Sequence, residues 1–254
     1  DEYEVKNELY AGDISFIGSM YNEKHNLYDR LCGVNDYTKG YLDAIMKVQR
    51  SIYGYFFLED MLKGDVLDEM MRVCPVKPNE DGVETVQYVY ANYFLARRMA
   101  TDERTDILSR VGRELGRENK INLYTPDASV RFINVNNKGT VDYYNEMPYV
   151  FRNSRINLNI TLRSIKSGIP LRCMDICGAG GFLLSNYQAD LYDVFVPGED
   201  MVIYDSIDDL MNKCKYYLSH DAERRQIAQN GFGKIEEKHT YDVRFEEIFN
   251  RVFN

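Results

Sequence analysis

The chain has no apolar run long enough to span a bilayer, which takes about 20 residues, and no charged-then-apolar leader at its start. No membrane span is expected. Cysteine is sparse: Cys32, Cys74, Cys173, Cys177 and Cys214 are scattered and odd in number. Cys173 and Cys177 are four apart, but no second pair or neighbouring histidine completes a metal set. All five read as reduced, mostly buried thiols of a cytosolic protein. The three histidines, His25, His220 and His239, lie far apart and read as surface or capping residues. No D-x-D presents itself for a divalent metal, and Asp208-Asp209 reads as first-turn charge on a helix. Basic residues are outnumbered 31 to 40, for a net charge of −9. That disfavours nucleic acid as main partner and leaves room for a small anion held by local amides and cations.

What is present suits a globular chain. With 254 residues, 44% of them hydrophobic, a sizeable core fits one large domain or two small ones. Because the first residue is Asp, the chain reads as a piece of something longer. Ile14 to Ile17 is a short β-rich run that stops at Gly18-Ser19. Helical spacing follows over 37–72, is broken by "CPVKPNEDG", and returns from about Thr85 to Leu115. Then "INLYTPD" reads as a strand, and "KGTVDYYNEMPYVFRNSRINLNIT" as strand, short helix and strand. "GGFLLSN" and "DMVIYDS" are further strands; the tail is nearly all helix, with Ser206 and Asp221 as N-caps. Strands alternating with helices imply a parallel sheet covered on both faces. Ligands of such sheets bind beyond the carboxyl ends of the strands.

One stretch does not read as plain core. "SGIPLRCMDICGAGGFLLSN", 167–186, carries a lone Arg172 and Asp175, then a glycine cluster at Gly178, Gly180 and Gly181. Asp175 reads equally as a helix-terminal charge, a partner for Arg172, or a ligand carboxylate. The glycines read as a helix C-cap and turn or as a place of close backbone approach. Asn157 and Asn159 share a face of their strand by its two-residue period and read as lining a cleft.

From Arg155 to the C-terminus, together with "DISFIGSMYNEK", the chain resembles the nucleotide-sugar-binding C-terminal domain of GT-B glycosyltransferases. It is similar in particular to the spore-maturation CgeB-like group with a glycosyltransferase group 1 type C-terminal domain. The resemblance implies an α/β fold with a Rossmann-like parallel sheet and helices on both faces. One donor-binding domain would cover 1–254, with a helical insertion at 37–118 and an acceptor-binding N-terminal domain of the parent chain outside it. In that family a carboxylate ahead of the glycine turn holds the donor ribose, and Asp175 stands there, before Gly178, Gly180 and Gly181. The usual second glutamate, eight positions earlier, is Ser167 here. The family's first-strand loop meets the donor diphosphate through a glycine, a basic residue and a lysine. Gly18 and Lys24 match, Ser19 replaces the basic residue, and Arg172 is a candidate to supply the missing cation.

The leading expectation is thus metal-independent glycosyl transfer from a nucleoside-diphosphate sugar, without a resident cofactor, in the cytoplasm. The acceptor, a glycan, protein or small molecule, is left open. A non-catalytic scaffold keeping the same fold is the alternative, motivated by Ser19 and Ser167. A sugar-nucleotide epimerase is weaker, since no carboxylate-plus-histidine set is visible.

Overall fold

The computed structural model describes residues 2–22, 26–80 and 82–253. Helix α1 (Glu2–Tyr10) leads into strand β1 (Gly12–Ile17). A short 3-10 turn, Leu27–Leu31, precedes α2 (Asp36–Arg50), whose N-cap Asn35 accepts a bond from Thr38 N. Helices α3 (Leu58–Met61), α4 (Gly64–Val73) and α5 (Val86–Val89) follow. A π-helical stretch, Tyr90–Leu95, then runs without a break into α6 (Ala96–Leu115). The remainder alternates: β2 (Ile121–Tyr124), β3 (Val135–Asn137), α7 (Met147–Asn153), β4 (Ser154–Asn159), α8 (Leu171–Gly178), β5 (Leu183–Asn186), β6 (Val202–Tyr204), α9 (Ile207–Ser219), α10 (Asp221–Lys238) and α11 (Tyr241–Phe253).

These elements form two compact units, one of residues 1–18, 109–160 and 168–254, the other of 19–108 and 161–167. The first holds a six-stranded sheet of order β3-β2-β1-β4-β5-β6, every pair parallel. The order reverses between β1 and β4, as in Rossmann-like folds, and this switch point is where such sheets take ligands. Pairing sets Ile14 beside Ile121 and Ile156, and Leu158 beside Leu184. One face of the sheet is therefore a continuous row of aliphatic side chains. Helix α9 packs on β4 and β6 and is tied to the last turns of α6 by Arg110–Asp208 (2.5 Å) and Lys215–Glu114 (3.1 Å). The other face packs Leu183 and Ile203 against Met147 and Phe151 of α7 and Cys173, Ile176 and Cys177 of α8. Helices thus cover both faces, and α10 packs on the outside of α8.

The second unit has its own core. Leu42, Ile45 and Met46 of α2 meet Leu58, Leu62, Met70, Tyr90, Phe94 and Met99. Helical spacing over 37–72 resolves into three helices because the chain leaves helix at 51–57 and again at 62–63. Gln49, fully buried, holds that bend: its Nε2 donates to Tyr55 O at 2.8 Å and its Oε1 accepts from Phe57 N at 2.8 Å. In the same unit Arg163 and Glu103 form an ion pair at 2.5 Å, each side chain 4% exposed.

Three expectations shift. No strand forms in 138–144; β3 lies just before, at Val135–Asn137, while Asp142 caps a turn by accepting from Asn145 N and the chain enters α7. Ser206 does cap α9, accepting from Asp209 N, but Asp221 is the first residue of α10 rather than its cap, and its carboxylate turns to Arg224 and Arg225. All five cysteines are free, yet Cys32 is exposed; Cys173, Cys177 and Cys214 are buried. Among the described residues no helix is long and apolar enough to cross a membrane.

Candidate functional site

Helix α8 buries Cys173, Ile176 and Cys177, at the spacing of one helical face, under the sheet unit's core. That leaves Asp175 and Gly178 on a flank away from the sheet. The helix ends in a Schellman motif: Gly181 N donates to Ile176 O at 2.9 Å and Gly180 N to Cys177 O at 2.9 Å. Gly180 takes a left-handed φ of 77°, which side chains with a Cβ resist. At Gly181 a Cβ would lie 2.7 Å from Phe151 O and 2.8 Å from Asn157 Nδ2. The glycine cluster is therefore a helix stop followed by a close packing point.

Asp175 lines a cavity of about 670 Å³. Its walls include Tyr143, Phe151, Gly178, His239, Tyr241, Arg244 and Phe245, all in the sheet unit. Tyr143 Oη donates to Asp175 Oδ1 at 2.8 Å. That bond, joined by partial burial, pushes the Tyr143 hydroxyl up to about 12. Asp175 Oδ2 receives no hydrogen bond from the described residues. Across the cavity Arg244 Nη2 lies 2.5 Å from His239 Nδ1. A guanidinium donates, so Nδ1 accepts and the ring proton sits on Nε2. Burial lowers the His239 pKa, and Arg244, Lys234 and Lys238 lower it further. The ring is therefore neutral near pH 7.

Arg172 does not salt-bridge Asp175. Its Nη1 donates to Met147 Sδ at 2.6 Å and the guanidinium lies 5.3 Å from the Phe151 ring centroid, where burial lowers its pKa against the pull of Asp175. Burial pushes the Cys173 thiol up to about 12 and raises Cys177 well above the ordinary range, so neither is a thiolate nucleophile.

The other predicted residues are placed elsewhere. Gly18 ends β1 at the switch point, its N–H donating to Tyr124 O at 3.0 Å, and it does not line the Asp175 cavity. Asn157 and Asn159 do share a face of β4, but they are 1% and 6% exposed. Asn157 Oδ1 accepts from Ser15 Oγ at 2.8 Å and its Nδ2 donates to Phe151 O at 2.9 Å; Asn159 Nδ2 donates to Ser185 Oγ at 2.9 Å. Their amides are spent pinning β4 to its neighbours and to α7. Gly180 borders a different cleft. Ser19 belongs to the second unit, where its carbonyl accepts from Arg104 Nη1 and its Oγ from Tyr21 N. Lys24 lies outside the described residues. Among the described residues no three His, Cys, Asp or Glu side chains come together as a metal-binding group.

Residues 97–250, more than half of the chain, match the family model described as "Glycosyl transferase-like". The chain belongs to the glycosyl transferase-like family. Among solved structures, this glycosyl transferase-like chain is similar to the one titled "Crystal Structure of TarM", at 13% identity and a TM-score of 0.47. The likeness covers 59% of this chain and 31% of that one, so the chain spans about a third of that protein's length. No curated protein matches it.

Tyr143, His239 and Arg244 were not legible as site residues in this glycosyl transferase-like sequence. Each reaches Asp175 or its cavity through tertiary packing. The sequence signal for Arg244 is only its nearness to His239 in "HTYDVRF"; Tyr143 has none.

Proposed function

We propose that this chain is the donor-binding half of a glycosyltransferase and that the Asp175 cavity receives the nucleoside of a nucleoside-diphosphate sugar. One observation carries the reading: Asp175 presents a carboxylate oxygen without a hydrogen bond from the described residues, while Tyr143 fixes its other oxygen at 2.8 Å. A carboxylate so held accepts from both hydroxyls of a ribose. The Tyr241 and Phe245 rings offer π-faces to the base, a contact worth roughly 1–3 kcal/mol per stacked base. Arg244 brings a guanidinium to the same wall, suited to the phosphates. Charge that builds on the leaving diphosphate would be met by such cations and by backbone amides, so transfer needs no bound metal. The acceptor and its base would come from outside this chain, from the parent's N-terminal domain. The finer placement in the CgeB-like group and a cytoplasmic location belong to the same proposal.

A second reading, a non-catalytic interaction module, is favoured by one feature. No residue of α11 is buried, and Tyr241, Phe245, Phe249 and Phe253 stack along it at four-residue intervals. Calorimetric titration with UDP-, GDP-, TDP- and CMP-sugars separates the two. The donor reading expects uptake of one base series, metal or chelator notwithstanding, and a loss of at least tenfold in Asp175→Ala. Silence across the panel sinks it and leaves the module.

A further inference from the structure

Two cavities of the sheet unit share one pair of side chains. His239 and Arg244 line the Asp175 cavity and also a second one of about 450 Å³, whose other walls include Asp193, Lys234, Lys238 and Glu247. His239 is the C-cap of α10, and its backbone N–H donates to Ile235 O at 2.9 Å. The backbone therefore fixes where the ring starts, between α10 and α11. The residue is half-buried.

Side chains fix which ring nitrogen carries the proton. Glu247 Oε2 accepts from Arg244 Nη1 at 2.8 Å, and its Oε1 accepts from Arg251 Nη2 at 3.0 Å. Arg244 Nη2 in turn donates to His239 Nδ1 at 2.5 Å. Nδ1 only accepts in this arrangement, so the proton of the neutral ring is on Nε2. Nε2 has no hydrogen-bond partner among the described residues. The charged groups that share the two cavities with the ring are Asp175 of α8, Asp193 of the 3-10 turn Ala189–Asp193, Lys234 and Lys238 of α10, and Arg244 and Glu247 of α11. Lys234 is paired with Asp200, and Glu247 with Arg244 and Arg251. Burial and the neighbouring cations keep the ring neutral, so it offers a directional N–H beside a guanidinium.

We propose that His239 Nε2–H donates a hydrogen bond to a phosphate oxygen of the bound nucleoside diphosphate, and that Arg244, braced by Glu247, is the positioning residue that holds the ring in this tautomer. The assignment rests on the donor reading of the Asp175 cavity and adds a residue that reading does not use. An anionic oxygen meets the ring N–H and the adjacent positive charge together, and a hydrogen bond to a charged acceptor is roughly twice as strong as a neutral one. A protonated ring would not serve in the same way. Its second proton would sit on Nδ1, break the bond from Arg244 and set two cations against each other.

The probes are UDP, GDP and TDP, each beside its own nucleoside, titrated by calorimetry into the whole chain and into His239→Phe, His239→Gln and Arg244→Met, with thermal melting to check folding. Nitrogen-15 spectra of the imidazoles give the tautomer; with three histidines in the chain, either His239 variant assigns the signals by their loss. The expected tautomer at pH 7 is Nε2-protonated in the wild type and mixed in Arg244→Met. One diphosphate is expected to bind at least tenfold more weakly to His239→Phe, while its nucleoside binds within twofold of the wild type. His239→Gln, which restores an N–H, should recover most of the loss. Diphosphate binding unchanged in His239→Phe overturns the assignment and leaves the donor reading standing. So does an equal loss for the nucleoside, or a wild-type ring protonated on Nδ1. A wild type that binds none of the probes sinks the donor reading and this assignment with it.

Discussion

Tyr143 and Asp175, 32 residues apart, meet through a 2.8 Å hydrogen bond that joins the turn before α7 to the outer flank of α8. The tyrosine fixes one carboxylate oxygen and leaves the other without a hydrogen bond from the described residues, on a side chain that lines the cavity. The two residues therefore separate a fixing role from a binding one. Tyr143→Phe removes one hydrogen bond at a half-exposed position and is expected to lower stability by no more than about 1 kcal/mol. Donor affinity should fall less in Tyr143→Phe than in Asp175→Ala, where the hydrogen bonds to charge are lost outright. Urea melts and titration of both variants with the bound donor check this order.

The same bond has a pH signature. Tyr143 is pushed up to about 12 by its hydrogen bond to Asp175, and burial pushes Tyr10, Tyr90 and Tyr124 there too. A folded pKa above the unfolded value of about 10 means that the folded state holds the proton more tightly. This stabilisation is fully present below pH 10 and is lost as pH rises from 10 through 12. Tyrosinate absorbance of the native protein should lag behind that of the protein in denaturant over this window, and Tyr143→Phe should remove one late-titrating group. A native curve that coincides with the denatured one contradicts this.

The glycine turn after α8 yields a graded pair. Gly180→Ala must adopt a left-handed φ of 77° and is expected to cost about 1–2 kcal/mol. Gly181→Ala drives a Cβ to 2.7 Å from the Phe151 carbonyl and should cost more, with Gly178→Ala mildest because its Cβ meets only Ile235 at 3.4 Å. Chemical denaturation of the three variants gives the ranking; Gly181→Ala as the mildest would be the wrong order.

Beneath the helices, Asn157 ties Ser15 of β1 to the Phe151 carbonyl at the end of α7. Asn157→Ala strands both inside the core, at about 1–3 kcal/mol for a buried polar group left unpaired. Denaturant midpoints are expected to fall accordingly, and an unchanged midpoint would show that water or repacking satisfies these groups.

How much of this the sequence disclosed depends on whether the signal is local. β1, β4, β5 and β6 are short apolar runs closed by turn residues, and their alternation with helices implied the parallel sheet. Asp175 and Gly178 could be named because a charge and a glycine stand out against small apolar neighbours. The bend at 51–57 is held by Gln49, a polar residue whose burial no local pattern announces. β3 is three residues long and owes its place to pairing with β2, so the β-prone residues of 140–144 drew the expectation past it. Asn157 and Asn159 obeyed the strand period, yet period alone does not tell a cleft wall from an internal pin. Tyr143 and Arg244 approach Asp175 or its cavity only once α7 and α11 have packed around α8.

The most direct measurement is a crystal structure of the chain grown with the nucleoside diphosphate that the titrations select. The ribose hydroxyls are expected within hydrogen-bond distance of the Asp175 carboxylate and the base against the Tyr241 or Phe245 ring. A nucleotide bound elsewhere while the Asp175 cavity holds only solvent would contradict it.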